Sequence, residues 1–127
     1  MNSGRAVGEK FSRDDRLRKR TEFEACYASG VRVSGRHLLL FLLPRPEASR
    51  PRIGISVSRR VGGAVTRNRV KRRIRQLFRT HRGLFEARAA ELVVNARPSA
   101  ATAPFADLER DYLSGLARAV SRLSGPA

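Results

Sequence analysis

The fold turns on residues 52–79, RIGISVSRRVGGAVTRNRVKRRIRQLFR, where two hydrophobic periods meet. Ile53, Ile55 and Val57 alternate with Arg52, Gly54, Ser56 and Ser58, the period of a strand with one apolar face and one small, polar face. After Arg59-Arg60-Val61-Gly62-Gly63 the period lengthens. Over about Ala64 to Thr80, at roughly 100° per residue, Val70, Ile74, Leu77 and Phe78 share one stripe, which predicts a helix packed on one side. Arg69, Lys71, Arg72, Arg73, Arg75 and Arg79 spread over the rest. Arg67 falls on the apolar side one turn before Val70: it either overhangs the sheet edge or lines a groove beside Gly54 and Ser56. The bulk-free strand face is likewise open to two readings, a solvated surface or the floor of a groove that a ligand backbone approaches closely.

Upstream, Lys19 to Ser29 reads as a helix with Phe23 and Tyr27 at i, i+4 and Gly30 as its stop. Val31 to Val33 and Arg36 to Leu43 read as extended, separated by Ser34-Gly35. In the second segment both alternating sets are largely apolar, which predicts an inner strand covered on both faces. A loop with Pro44, Pro46 and Pro51 leads into the deciding stretch. Downstream, Glu91 to Arg97 is a further strand, so strand, basic helix and strand form a βαβ unit, right-handed by the general rule. From Pro104 to Leu123, Phe105, Leu108, Tyr112, Leu116, Val120 and Leu123 recur at helical spacing. Pro104 suits a first helical position, and Asp107 with Glu109 suit the positive end of the dipole. Residues 1–18 read as a flexible basic arm and 19–127 as one domain. The expected class is α+β, one mixed sheet sandwiched with helices.

The chain has 127 residues with 27 Lys+Arg against 11 Asp+Glu, a formal charge of +16, and its length suits one core rather than two. The charge is uneven: residues 1–47 carry 10 basic and 6 acidic groups, residues 48–85 carry 12 and none, and residues 86–127 carry 5 and 5. Like charges this dense disfavour the compact state unless a polyanion neutralises them, which points to nucleic acid or an anionic membrane surface. Cys26 has no second cysteine to pair with, reads as a small core residue between Phe23 and Tyr27, and suits a reducing compartment. The start, MNSGRAVGEKFSRDDR, has no apolar signal core, and the longest apolar run, Leu38 to Leu43, is too short to span a bilayer. A cytoplasmic location is expected.

Protein-borne phosphodiester chemistry calls for clustered carboxylates holding metal ions, or a histidine pair acting as acid and base. No acid occurs from Ala48 to Phe85, and His37 and His81 lie in different elements without an obvious carboxylate partner. Asp14 and Asp15 are neighbours on the arm, and Glu22 and Glu24 flank Phe23 on opposite sides of a helix. Gly62-Gly63 lacks the spacing of a phosphate-binding loop. No self-contained active site emerges. Binding chemistry is plentiful instead: arginine forks for phosphate, the Asn68 amide for a sugar or base edge, and Phe23, Tyr27 and Phe41, which either stack unpaired bases or simply fill core.

Residues 54–79, GISVSRRVGGAVTRNRVKRRIRQLFR, resemble the protein subunit of bacterial ribonuclease P, centred on its RNR signature at Arg67-Asn68-Arg69. LRKRTEFEACYASG and LVVNARP fit the flanks. The resemblance implies an αβββαβα two-layer sandwich with a left-handed crossover, similar to a ribosomal-protein domain, against the right-handed default. It implies a monomer that binds the ribonuclease P RNA and precursor tRNA, while that RNA, with Mg2+, removes the 5′ leader. RNA contacts are expected from Arg59, Arg60, Arg67, Asn68, Arg69, Lys71, Arg72 and Arg75. The leader cleft is expected from Phe23, Tyr27, Phe41, Gly54, Ser56 and Ser58. Gly63 stands where the family often has Asn, which leaves only a backbone approach there. A ribosomal-type binder and a DNA-binding module with the basic helix in the major groove are the alternatives; the latter lacks a helix-turn-helix partner.

Overall fold

The computed structural model describes residues 15–85 and 89–124. Its elements run α1 (Arg20–Ser29), β1 (Val31–Ser34), β2 (Leu38–Pro44), β3 (Arg52–Ser56), α2 (Ala64–Thr80), β4 (Ala90–Ala96) and α3 (Phe105–Ser124), with single 3-10 turns at Arg82–Phe85 and Pro98–Ala101. The strands form one sheet in the order β1-β2-β4-β3. β4 runs parallel to β3 and antiparallel to β2, and β1 is antiparallel to β2.

The alternation of each strand decides what covers it. On one face Leu38, Leu40, Leu42, Ile53, Leu92 and Val94 meet Val70, Ile74, Leu77 and Phe78 of α2 and Leu108, Tyr112 and Leu116 of α3 in the main core. On the other, α1 sets Cys26 against Phe41 and Val93, with Leu17 beside them. β2 is therefore an inner strand with both faces covered, as its doubly apolar pattern requires. The βαβ unit is equally plain, since β4 inserts between β2 and β3 after α2 has crossed the main-core face.

The expected arm is too long. Asp15 and Leu17 are buried, the Leu17 N–H donates to the Ile53 carbonyl at 2.8 Å, and Arg16 bridges Ile53 in parallel. The anchor is electrostatic: Arg82 donates to both Asp15 carboxylate oxygens, at 2.9 and 3.1 Å, and Arg50 approaches the same group at 3.6 Å. Residues 1–14 of the arm lie outside the described residues. His81 also departs from expectation, because its Nε2 lies 3.1 Å from the Glu109 carboxylate of α3. Smaller shifts have local causes. β3 stops at Ser56 because the Ser58 carbonyl accepts the Val61 N–H at 3.0 Å and turns the chain. β2 starts at Leu38 because the carboxylate of Asp111 accepts the backbone N–H groups of His37 and Leu38. Pro104 stands just before α3, its carbonyl accepting the N–H groups of Asp107 and Leu108 at 3.0 and 3.3 Å.

Candidate nucleic-acid interface

The α1 side of the sheet is built in cross-strand rows. One row runs Arg32, Phe41, Val93, Gly54, and the next runs Ser34, Leu39, Asn95, Ser56. α1 lies over the first row. A Cβ at Gly54 would sit 2.6 Å from Phe23 Cζ and 3.2 Å from Leu17 Cβ, so only glycine lets the ring rest on β3. Tyr27 meets Phe41 edge-on, with centroids 4.8 Å apart and planes at 77°, and its hydroxyl donates to the Asn95 Oδ1 at 3.1 Å. Leu39, Asn95 and Ser56 stay partly open beside the helix.

The three aromatics predicted for a cleft thus converge, but in different roles. Phe41 is 8% exposed and is floor, whereas Tyr27 is 40% exposed and offers its ring. Phe23 is half-buried, both core filler and cleft wall. Gly54 and Ser56 belong to the same surface. Ser58 does not: it lies beyond the strand, and its hydroxyl accepts the Arg60 N–H at 3.3 Å to shape the turn.

α1 is held in place by a charge network. Burial pushes the Glu22 carboxyl upward, but N–H donors from Lys19 and Arg18 and the Arg52 charge outweigh it and hold it below its ordinary value. Arg52 binds both Glu22, at 3.1 Å, and the buried Glu91 of β4, at 3.3 Å, while Arg45 reaches Glu91 at 3.2 Å. These contacts pin the start of α1 to β3 and β4. Burial next to Glu91 pushes the Cys26 thiol up to about 11, which keeps it protonated and inert.

The arginines of α2 divide by flank. Lys71 and Arg75 turn toward the cleft, where with Arg16, Leu17, Phe23, Ile53 and Ile55 they surround a small open cavity of about 90 Å³. Burial and the adjacent Arg16 charge lower the Arg75 pKa from its ordinary value. On the opposite flank Arg69 donates to the Ala101 carbonyl at 2.9 Å and Arg73 to that of Ala103 at 3.2 Å, tying α2 to the loop before α3. Arg69, expected as an RNA ligand, therefore also has a structural bond, with further guanidinium N–H donors left over. Arg67 resolves its two readings differently from both: its Nε donates to the Gly62 carbonyl at 3.1 Å, and Gly62, at φ +156°, lets the turn present that oxygen. Asn68, Arg72, Arg59 and Arg60 are exposed. Gly63 caps α2 without a side chain and no acid stands in its first turn, so the dipole's positive end adds to this cationic surface.

Sequence reasoning missed Arg16, Leu17 and Asn95. Asn95 had a local signal, the only uncharged polar side chain in a strand that is otherwise apolar apart from Glu91. Arg16 had none, and Leu17 had only its place at the start of the matching flank LRKRTEFEACYASG. Among the described residues no three His, Cys, Asp or Glu side chains come together to hold a metal ion, and no helix is long and apolar enough to cross a membrane.

A family model described as Ribonuclease P matches residues 11–120. The chain belongs to the ribonuclease P protein component family. A relative from Desulfovibrio desulfuricans is 42% identical over 113 residues, covering 87% of this chain and 86% of its own. One from Kocuria rhizophila is 44% identical over 108 residues, covering 84% and 93%. Among solved structures, the Staphylococcus aureus RNase P protein superposes with a TM-score of 0.74 at 30% identity, covering 80% of this chain and 92% of that one. The Thermotoga maritima RNase P protein gives 0.72 at 26% identity, covering 81% and 96%. Membership makes the chain a subunit of ribonuclease P, the endoribonuclease that processes tRNA 5′ ends, and a partner of the ribonuclease P RNA. It also sets aside the ribosomal-type and DNA-binding alternatives.

Proposed function

We propose that the open sheet face and the cleft flank of α2 hold the single-stranded 5′ leader of precursor tRNA. The outward side of α2, with Asn68, Arg72, Arg59, Arg60 and the spare donors of Arg67 and Arg69, grips the ribonuclease P RNA. That RNA, with magnesium, cleaves the phosphodiester; the protein acts as a monomer in a cytoplasmic ribonucleoprotein. The observation that carries this reading is the meeting of Tyr27 and Phe41 with Phe23, which is seated on Gly54, beside the partly open Ser56 and Asn95 and the cationic Lys71 and Arg75. Bases of an unpaired strand expose π-faces that stack on aromatic rings, whereas a duplex hides them. A small polar floor admits the sugar-phosphate backbone, and the cationic flank neutralises it.

The carboxylates on this face are occupied elsewhere: Glu22 and Glu91 are bound by Arg52 and Arg45. Among the described residues no three His, Cys, Asp or Glu side chains gather to hold a metal ion. The chain's contribution to catalysis is then positioning: holding the leader fixes the scissile bond relative to the RNA's own reactive groups, which converts part of the substrate's orientational freedom into rate.

Reconstitution tests this. Added to a bacterial ribonuclease P RNA and precursor tRNA at modest magnesium, the protein is expected to raise 5′ cleavage above that of RNA alone. Affinity is expected to fall with salt at a log-log slope of about −0.7 to −0.9 per phosphate engaged. No gain in cleavage overturns the reading, and so does hydrolytic turnover by protein stripped of all nucleic acid.

A further inference from the structure

The cross-strand row beneath α1 does not end at Phe41. Its next member is Arg32 of β1, and directly opposed residues of an antiparallel pair point to the same side of the sheet. Arg32 therefore stands on the face where Tyr27 meets Phe41, one strand spacing outward, and it is exposed. The following row ends similarly. Arg97 donates through Nη2 to the Ser34 hydroxyl and through Nε to the Gly35 carbonyl at 3.0 Å, so its guanidinium lies across the end of β2 against β1. Arg122 of α3 brings a third cation to this edge by donating to the Arg32 carbonyl at 2.9 Å. Among the described residues no carboxylate pairs with Arg32, and the acid of this corner, Asp111, is occupied by the backbone N–H groups of His37 and Leu38.

The open face thus has cations at both ends. Lys71 and Arg75 stand at the β3 side, Arg32 and Arg97 at the β1 side, and the aromatic floor lies between. From β3 to β1 is three strand spacings, about 14 Å, the span of a few nucleotides of extended single strand.

We propose that Arg32, supported by Arg97 and Arg122, is a second phosphate anchor, engaging leader nucleotides that have passed the aromatic pair and reached the β1 edge. This rests on the leader-cleft reading above and adds to it a path and a length: the strand crosses the sheet from α2 toward β1, and only a leader long enough to complete that crossing meets Arg32. An exposed arginine making one phosphate contact contributes modestly, and it acts as one released counterion in the salt dependence.

The test is a series of precursor tRNAs with leaders of increasing length, bound by holoenzyme reconstituted with native protein, Arg32→Ala or Arg32→Lys. With native protein, affinity is expected to rise with leader length and then level off. Arg32→Ala should lose the final part of that rise, about threefold to fivefold at the longest leaders. Its salt slope there should be shallower by about 0.7, and Arg32→Lys should restore most of the affinity. A loss by Arg32→Ala of equal size at every leader length reports a general field and overturns the anchor, as does no loss at any length while native protein still gains from longer leaders. Native affinity that ignores leader length altogether overturns the leader cleft itself. Because the side chain is exposed, thermal unfolding of Arg32→Ala should match the native protein, which separates a binding loss from misfolding.

Discussion

The two faces of the sheet are made from the same strands and obey opposite rules. The face under α2 and α3 presents Leu38, Leu40, Leu42, Ile53, Leu92 and Val94 to a continuous apolar layer. The face under α1 presents a glycine, a serine and an asparagine around a few aromatics, and α1 covers only part of it. Removing bulk from the first face costs stability with no gain. On the second, the missing bulk at Gly54 seats the Phe23 ring, and the small polar side chains of Ser56 and Asn95 leave a partly open strip beside α1. Stability and recognition are thus separated across a single β-pleat, so substitutions on alternate residues should have separable consequences.

The closed face should lose most when it is cut. Phe78 is fully buried and packs edge-on to Phe85, with centroids 5.8 Å apart. Phe78→Ala should cost about 3–5 kcal/mol in urea unfolding, enough to unfold much of the population of a domain this size. A loss under about 1 kcal/mol would mean the face is far more plastic than its packing indicates.

Next comes the join between the two faces. Arg82 holds the buried Asp15 and also stacks over Phe78, 5.1 Å from the ring centroid. Arg82→Met keeps the bulk but removes the bidentate partner of Asp15 and leaves Arg50 at 3.6 Å, so the cost should fall below the roughly 3–5 kcal/mol of a buried charge left wholly uncompensated. The segment carrying Leu17 should then detach from Gly54 and Phe23, so leader affinity falls together with stability. Hydrogen exchange at the Leu17 amide, which donates to Ile53, reads the detachment directly; unchanged protection would show that the segment is held without Arg82, by the strand bridge together with Arg50 and Arg52.

On the open face binding should change more than folding. Phe23→Ala and Tyr27→Ala should each weaken leader recognition by about 1–3 kcal/mol, the usual range for base-aromatic stacking. Binding of the ribonuclease P RNA should change less. Arg72→Ala, on the exposed side of α2, should do the reverse. Arg69→Ala should also weaken RNA binding, with some stability lost because it releases the Ala101 carbonyl. Equal losses of leader and RNA affinity in all four variants would erase the proposed division of the surface.

Most of the fold was legible because its determinants are periodic and local. The alternation of Ile53, Ile55 and Val57, the α2 stripe and the spacing of Leu108, Tyr112 and Leu116 each announce an element and its buried side. The left-over arginines of α2 were equally visible, but not their division, because Arg69 and Arg73 are committed by carbonyls about 30 residues away. The docked segment at Asp15 and Leu17 was illegible for the same reason. Its partner Arg82 lies 67 residues along the chain, and a short polar stretch beside a buried cation reads locally like any solvated arm. His81 with Glu109 repeats the pattern across 28 residues. What local sequence does not carry here is ion pairing between elements, where distance in the fold and distance in the chain are unrelated.

The smallest predicted effect separates shape from aim on the open face. Tyr27→Phe keeps the ring and its edge-on contact with Phe41 and removes only the hydroxyl that donates to Asn95. Because Asn95 is partly open, water can take the lost place, and the stability cost should stay below about 1 kcal/mol. If that bond serves to aim the ring over the β4 row, leader affinity should still fall by about twofold to threefold, equivalent to several tenths of a kcal/mol, with RNA binding unchanged. Asn95→Ala should then lower leader affinity by the same factor, and the double variant should lose no more than either single one, since a shared bond is removed only once. Additive losses would show instead that Tyr27 and Asn95 touch the leader independently, making the floor of β4 a contact surface in its own right rather than a support for the aromatic wall.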